Sequence, residues 1–257
     1  MNSISIVSKS LRRNGVKRTL KQAEDHNSRR IATEYGTYGN IDPSRISLNK
    51  ELIGLNGESL ENAVDENLIK LGIDLNNPRI KAKNRGLAIE SVFSVTAGHK
   101  CDFNSLYSDC LDWFKSTLPE CPILHAIIHH DEDVPHMHVV FIPIINGRLL
   151  ADKLKGFKGK GRQRVAQLLS SLDSKYGLIP MQYLKKSHKK AGVKLALELT
   201  EKMLKSDAIK PIKSAIKQSI AARPELYLIS MGYTFEKFQE HLRNTTPIYV
   251  GDANDHN

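Results

Sequence analysis

The sequence predicts an α+β fold, an antiparallel β-sheet with flanking helices followed by a basic, mainly helical C-terminal extension. Three observations point there. Short β-branched runs are joined by turn residues, a spacing that suits hairpins rather than parallel crossovers. Amphipathic segments with helical spacing lie between the runs. Beyond about residue 190 the composition becomes rich in Ala, Leu and Lys.

The elements follow in order. Ser3–Val7 reads as a first strand and Val16–Arg30 as a helix with a thin apolar face. Glu34–Asn49, rich in Gly, Tyr, Asn, Asp and Pro, reads as a loop. Leu60, Val64, Leu68 and Leu71 repeat at helical spacing ahead of Pro78, and Leu87–Thr96 is β-branched and aromatic enough for a strand. Ser105–Leu118 is a helix stopped by Pro119, with Leu106, Cys110, Trp113 and Phe114 on one side. Ile123–His130 and His136–Ile145 read as strands joined by the turn Asp131-Glu132-Asp133-Val134-Pro135. Asn146-Gly147 signals a hairpin into Arg148–Leu150. After a Gly/Lys-rich loop at 153–161, Val165, Leu168, Leu169, Leu172 and Tyr176 form a helical stripe ended by Gly177. Residues 190 to 220 read as helix broken at Pro211, and the tail after Thr245 has no readable structure.

The formal charge of +10 is unevenly placed. Residues 1–30 carry 8 Lys/Arg against 2 Asp/Glu, and residues 144–222 carry 18 against 5. A basic surface of this kind suits a polyanion, since neutralising phosphates is the sequence-independent part of nucleic-acid affinity. Three cysteines without C-x-x-C spacing exclude a disulfide framework and a thiolate zinc site. No apolar run approaches the roughly 18 residues of a membrane span, and the N-terminus lacks a signal-peptide core. A reducing cytoplasm is the expected compartment, without stable membrane insertion.

Between the basic blocks, residues 122–143 hold five histidines, three acids and no Lys or Arg. Strand side chains alternate faces, so His136 and His138 point the same way. The turn folds the preceding strand back, which brings His129 to the same end of the sheet. Three imidazoles beside Asp131 and Glu132 make a divalent-metal site with positions left open, as phosphodiester chemistry needs. His125 and His130 fall outside this set. The bland reading of such residues is a group of hydrogen-bonded core histidines.

The string His129-x-Asp131-Glu132-x-x-Pro135-His136-x-His138, followed by Pro143, resembles the third motif of the MobV-type relaxases, the Mob/Pre plasmid mobilisation and recombination proteins. His26-Asn27-x-Arg29 resembles the first motif of that family, and Asn40-Ile41-Asp42, Arg45 and Asn49-x-x-Leu52 its second. The resemblance covers roughly residues 1–180, with 181–257 as the extension. Two departures stand out: Val134 where the family usually has Thr, and Lys50 where an aromatic residue is common.

The resemblance implies an HUH-type endonuclease of the bacterial cytoplasm. Such an enzyme nicks one strand at a plasmid transfer origin and stays joined to the 5′ phosphate. It implies that His129, His136 and His138 bind Mn²⁺ or Mg²⁺, that Glu132 assists, that His26 is the nucleophile, and that Arg29 contacts DNA or orients the scissile phosphate. Neutral imidazole is a competent nucleophile near its ordinary pKa of about 6.5. Asp25 and Glu132 are both candidates for a carboxylate beside it. Tyr35 and Tyr38 are the rival nucleophiles, because most other HUH enzymes use tyrosine.

Candidate DNA contacts are Arg45 and Asn49, the patch Lys81, Lys83 and Arg85, and the acid-free run Lys153, Lys155, Lys158, Lys160, Arg162 and Arg164. The expected partner is the single-stranded or hairpin form of a plasmid origin, with a second copy of the chain or conjugation coupling machinery left open. Two alternatives remain at this level: a rolling-circle replication initiator using tyrosine, and a metal-stabilised DNA-binding protein that does not nick.

Overall fold

The computed structural model describes residues 3–15, 18–35, 40–82, 85–154, 160–180, 184, 186–204, 213–222 and 224–245. The chain divides into two compact units, Met1–Met181 and Gln182–Asn257. In chain order the first contains β1 (Ser3–Leu11), α1 (Leu20–Asn27), α2 (Arg30–Tyr35), a 3-10 segment (Pro43–Leu48), β2 (Lys50–Ile53), α3 (Leu60–Lys70), α4 (Pro78–Lys81), β3 (Ala88–Val95) and α5 (Phe103–Thr117). It continues with β4 (Ile123–His129), β5 (His136–Phe141), the small hairpin β6 (Ile144–Ile145) and β7 (Arg148–Leu149), α6 (Ala151–Leu154), α7 (Lys160–Ser171) and β8 (Ile179–Pro180).

Five strands pair antiparallel in the order β2-β4-β5-β3-β1, and β8 adds parallel to the edge of β1. The α+β class and the antiparallel sheet expected from the sequence are therefore present, with β5 at the centre. Strand alternation sorts the side chains. Ile4, Ile89, Phe93, Ile128, Met137, Val139 and Phe141 share one core with Leu106, Tyr107, Cys110 and Phe114 of α5 and Leu168 of α7. From the opposite face, Leu11, Ala88 and Val140 pack with Leu20 and Ala23 of α1 and with Leu60, Val64 and Leu68 of α3. That second face carries His136 and His138, two residues apart on β5, while Met137 between them is fully buried on the first.

This division makes Met137 a structural test of the register. Met137→Ala is expected to cost about 2–5 kcal/mol of stability, whereas volume-conserving Met137→Leu costs less than about 1.5 kcal/mol. Urea unfolding of the two variants checks the ranking.

Several boundaries differ from the sequence reading. β1 extends to Leu11 because Ser8, Lys9 and Ser10 pair with β3 despite their polarity. The helix expected over Val16–Arg30 begins only after Thr19, whose hydroxyl accepts the Gln22 N–H (3.1 Å) while Gln22 accepts the Thr19 N–H (3.1 Å). It ends at Asn27, and the chain restarts as α2 after Arg29, whose backbone is left-handed (φ 57°). Within the expected loop 34–49 lies the 3-10 segment, capped by Asp42. β2 is a strand the sequence did not reveal. Asn146 and Gly147 both have positive φ (49° and 66°), the backbone a type I′ hairpin needs.

The second unit contains α8 (Lys186–Leu204), α9 (Lys213–Ala222), α10 (Pro224–Ser230) and α11 (Phe235–Thr245). Its core is formed by Leu184, Leu195, Ala196, Ile220, Leu228 and Phe238. The expected helical break at Pro211 and the tail beyond Thr245 lie outside the described residues. Among the described residues no helix is long and apolar enough to cross a membrane.

Candidate active site

β4 and β5 position three histidines directly. His129 and His136 are opposite partners in the antiparallel ladder, and His138 follows two residues along β5. His26 comes from the last turn of α1 and joins them. Its ring centroid lies 5.4 Å from that of His129 and 5.0 Å from that of His138. One ring nitrogen from each of the four lies within 4.8 Å of the others.

The three strand histidines share a feature that His26 lacks. His136 donates Nδ1–H to the Val134 carbonyl (2.9 Å), and His129 donates Nε2–H to the Asn27 carbonyl (3.3 Å). A carbonyl can only accept, so these contacts fix which ring nitrogen carries the proton. His138 Nδ1 faces the Glu90 carboxyl at 2.8 Å. The inner nitrogens His129 Nδ1 and His138 Nε2 are buried without a hydrogen-bond partner. A buried polar atom without a partner costs on the order of 1–3 kcal/mol, and here a divalent ion would supply one. The donor set therefore fits a metal: neutral imidazoles whose outer nitrogens are anchored and whose inner lone pairs converge.

His26 is half-buried and has no such anchor. Its ring nitrogens lie 3.4 Å from Arg29 Nη1. Burial and the Arg29 charge hold its pKa below the ordinary histidine value, which favours the neutral imidazole, toward whose ring the Arg29 N–H points. A cleft of about 230 Å³ opens beside it, lined by Gln22, Asp25, Arg29, Ile31, Ala32 and Ile41. Burial, followed by the neighbouring His138 and Arg29, also pushes His129 far below its ordinary value. Burial raises the Glu90 carboxyl, opposed by His26 and Lys9.

The acids are held from behind. The Arg29 guanidinium is 1% exposed and donates to both oxygens of the fully buried Asp131 (2.8 and 2.7 Å) and to Glu132 (2.7 Å). Asn49 donates to Asp131 (2.8 Å) and accepts the His130 N–H (2.7 Å). Asn40 donates to the other oxygen of Glu132 (3.1 Å). Burial would raise both carboxyls, but the Arg29 hydrogen bonds and the amide and histidine contacts outweigh it and hold them below the ordinary range. Glu132 Oε1 faces His136 Nε2 at 3.7 Å.

Arg29, expected to contact DNA or orient the scissile phosphate, has its guanidinium buried against Asp131 and Glu132, and half-buried Asn49 spends its amide on Asp131 and the His130 N–H. Arg29 acts as a strut, and removing it leaves Asp131 buried without a cation. Arg29→Ala is expected to destabilise the fold by about 3–5 kcal/mol in chemical denaturation, with Arg29→Lys recovering only part because one ammonium cannot reproduce the fork.

The remaining residues separate. Asp25 pairs with Lys21 (2.6 Å) and Arg30 (2.8 Å) while lining the cleft beside His26, and Glu132 faces His136 on the strand side. Arg45 is half-buried at the 3-10 segment, and Lys153 is exposed. Exposed Lys81 donates to Asn76 (3.0 Å), while Arg85 and Arg164 donate to the carbonyls of Leu149 (2.6 Å) and Leu154 (2.7 Å). Lys83, Lys155, Lys158 and Tyr38 lie outside the described residues, as do the side chains of Tyr35, Lys160 and Arg162. His125 bonds Glu51 (3.0 Å) and His130 faces Asn104 (3.2 Å), away from the cluster. Glu90 is the site residue sequence reasoning missed, since no motif or spacing links it to His138.

A family model described as plasmid recombination enzyme matches residues 1–175. Plasmid recombination enzyme type 3 of Staphylococcus aureus is 27% identical over 139 residues, covering 50% of this chain and 32% of that protein. The type 1 enzyme of Staphylococcus aureus is 28% identical over 155 residues, covering 56% and 34%. The chain thus spans about a third of the length of these curated relatives. Among solved structures, a Mn-bound MobM relaxase domain with a 23-nucleotide pMV158 oriT DNA aligns with TM-score 0.53 at 20% identity, covering 74% of this chain and 98% of that one. A second MobM relaxase domain structure, with a 22-nucleotide oriT DNA bearing a 3′ thiophosphate, gives 0.52 at 21% identity, covering 73% and 98%. These likenesses show a common fold.

Proposed function

The chain belongs to the Mob_Pre family of plasmid recombination enzymes, and from that premise we propose that it is a plasmid mobilisation relaxase. In this reading it is a metal-dependent, strand-specific DNA endonuclease and transesterase that nicks at an origin of transfer. The observation that carries the reading is the histidine arrangement: three imidazoles with anchored outer nitrogens, and a fourth, unanchored, beside an open cleft.

His129, His136 and His138 would hold Mn²⁺ or Mg²⁺, which would supply charge neutralisation at a phosphoryl oxygen. His26 attacks. The imidazole lone pair forms a P–N bond, the P–O3′ bond breaks, and the proton released from the other ring nitrogen of the phosphorylated His26 balances the one the departing 3′ oxygen takes up. The strand stays joined through its 5′ phosphate, and reversal of the step reseals it without ATP. Arg29 keeps His26 neutral from behind, and Glu132, with both oxygens occupied by Arg29 and Asn40, acts as a charge partner beside His136 rather than as a strong base. Residues 1–180 are the catalytic domain and 181–257 the basic helical extension. Lys81, Arg45, Lys153 and the basic run to Arg164 supply phosphate contacts on a plasmid origin in the bacterial cytoplasm.

The MobM relatives are Mn-bound and carry oriT DNA, which supports the choice of ion and partner. The test incubates the full chain and Mn²⁺ with a supercoiled plasmid bearing its origin. The reading predicts open circles with protein on the 5′ end of one strand. Tight, origin-specific binding that leaves the plasmid closed favours a non-nicking DNA-binding protein instead.

A further inference from the structure

Asn27, immediately after His26, is 1% exposed and sits at the end of α1. Its main-chain carbonyl accepts the His129 N–H (3.3 Å), and its side-chain amide reaches Glu90 Oε1 (3.4 Å). That same Glu90 oxygen faces His138 Nδ1 at 2.8 Å, although Glu90 is 48 residues away on β3. Glu90 is buried, and among the described residues no Lys or Arg lies within ion-pair distance of its carboxyl, although Lys9 is its cross-strand neighbour. Two of the three strand histidines are thus held by one residue and its neighbour, and that residue is joined by a peptide bond to His26.

We infer that Glu90 and Asn27 are positioning residues: Glu90 fixes the His138 ring with its Nε2 lone pair inward, and Asn27 ties the helix carrying His26 to both the His129 and the Glu90–His138 arms. The inference deepens the metal reading proposed above and rests on it. Its physical content is that a ligating imidazole is made stronger and better aimed when its far N–H is held by a carboxylate or carbonyl. Removing such a partner costs about 10–100-fold in metal affinity in comparable sites. The arrangement also sets a spacing. If α1 shifts, His26 moves together with the contacts that hold two ligands, so nucleophile and ligands keep register with one another.

The test uses the full chain with two readouts, Mn²⁺ affinity by calorimetry and the protonation of each histidine ring by long-range ¹H–¹⁵N spectra of the metal-free protein. Wild type is expected to carry the His138 proton on Nδ1. Glu90→Ala is expected to weaken Mn²⁺ binding by about 10–100-fold and to let the proton move to Nε2. Glu90→Gln, which keeps an acceptor oxygen, restores the Nδ1 proton and most of the affinity. Asn27→Ala, which keeps the carbonyl, leaves the His129 ring unchanged and gives a smaller loss. Folded Glu90→Ala with unchanged affinity and an unchanged His138 proton overturns the inference. So does a wild-type His138 protonated on Nε2, a result that stands even where Glu90→Ala fails to fold. A wild-type chain that does not bind Mn²⁺ at all contradicts the underlying metal site, while the ring-proton measurement still reads the positioning contacts.

Discussion

His26→Ala is expected to abolish the covalent protein–DNA adduct while leaving the fold and Mn²⁺ binding in place. Losing a nucleophile that acts in concert with its surroundings reduces turnover by factors on the order of 10⁶, below detection in a gel assay. The fold should survive. His26 is half-buried, alanine is a good helix former, and Arg29 keeps its hydrogen bond to the position 26 carbonyl (3.2 Å) and its pairs with Asp131 and Glu132. Metal binding should survive because the three strand histidines are anchored by Val134, Asn27 and Glu90 and not by His26. The check is denaturing electrophoresis of the adduct beside calorimetry with Mn²⁺. A variant that loses metal affinity as severely as activity would place His26 among the ligands, which its position within 4.8 Å of them permits.

His136→Ala is expected to remove both metal binding and nicking. A direct ligand should cost more than the 10–100-fold that loss of an outer partner produces. The side chain is only partly buried and lies on the face opposite the α5 core, so its truncation removes little packing. Loss of nicking with undiminished Mn²⁺ affinity would sink the proposed metal site. Paired with His26→Ala, the variant separates the two halves of the chemistry: one loses the attacking group and keeps the ion, the other loses both functions together.

The parts of the site written in local sequence were legible. His136 and His138 share a face because strands have a period of two, and the Asp131–Pro135 turn brings His129 opposite His136. The helical stripes of α3 and α5 and the Asn146-Gly147 hairpin were readable for the same reason. What failed depended on distant partners. Arg29 lies in a basic block and reads as a DNA contact until Asp131, 102 residues away, is seen to bury it. Glu90 reads as one polar residue in a strand, and its bond to His138 exists only because β3 and β5 are neighbours. β2, with Lys50 and Glu51 in four residues, has too little apolar character to register, although it pairs with β4. Charge shows in a sequence, and whether that charge faces water or a buried acid does not.

The central claim is that His26 attacks a phosphate beside a three-histidine metal site. The most direct measurement allows the full chain to react with Mn²⁺ and a single strand of its origin, digests the adduct with trypsin and nuclease, and locates the residual nucleotide by mass spectrometry. Cleavage after Lys21 and Arg29 places His26 in residues 22–29, separate from Tyr35 and Tyr38 in residues 31–45. The prediction is an acid-labile nucleotide on residues 22–29. An acid-stable nucleotide on residues 31–45 would contradict it and assign the attack to a tyrosine.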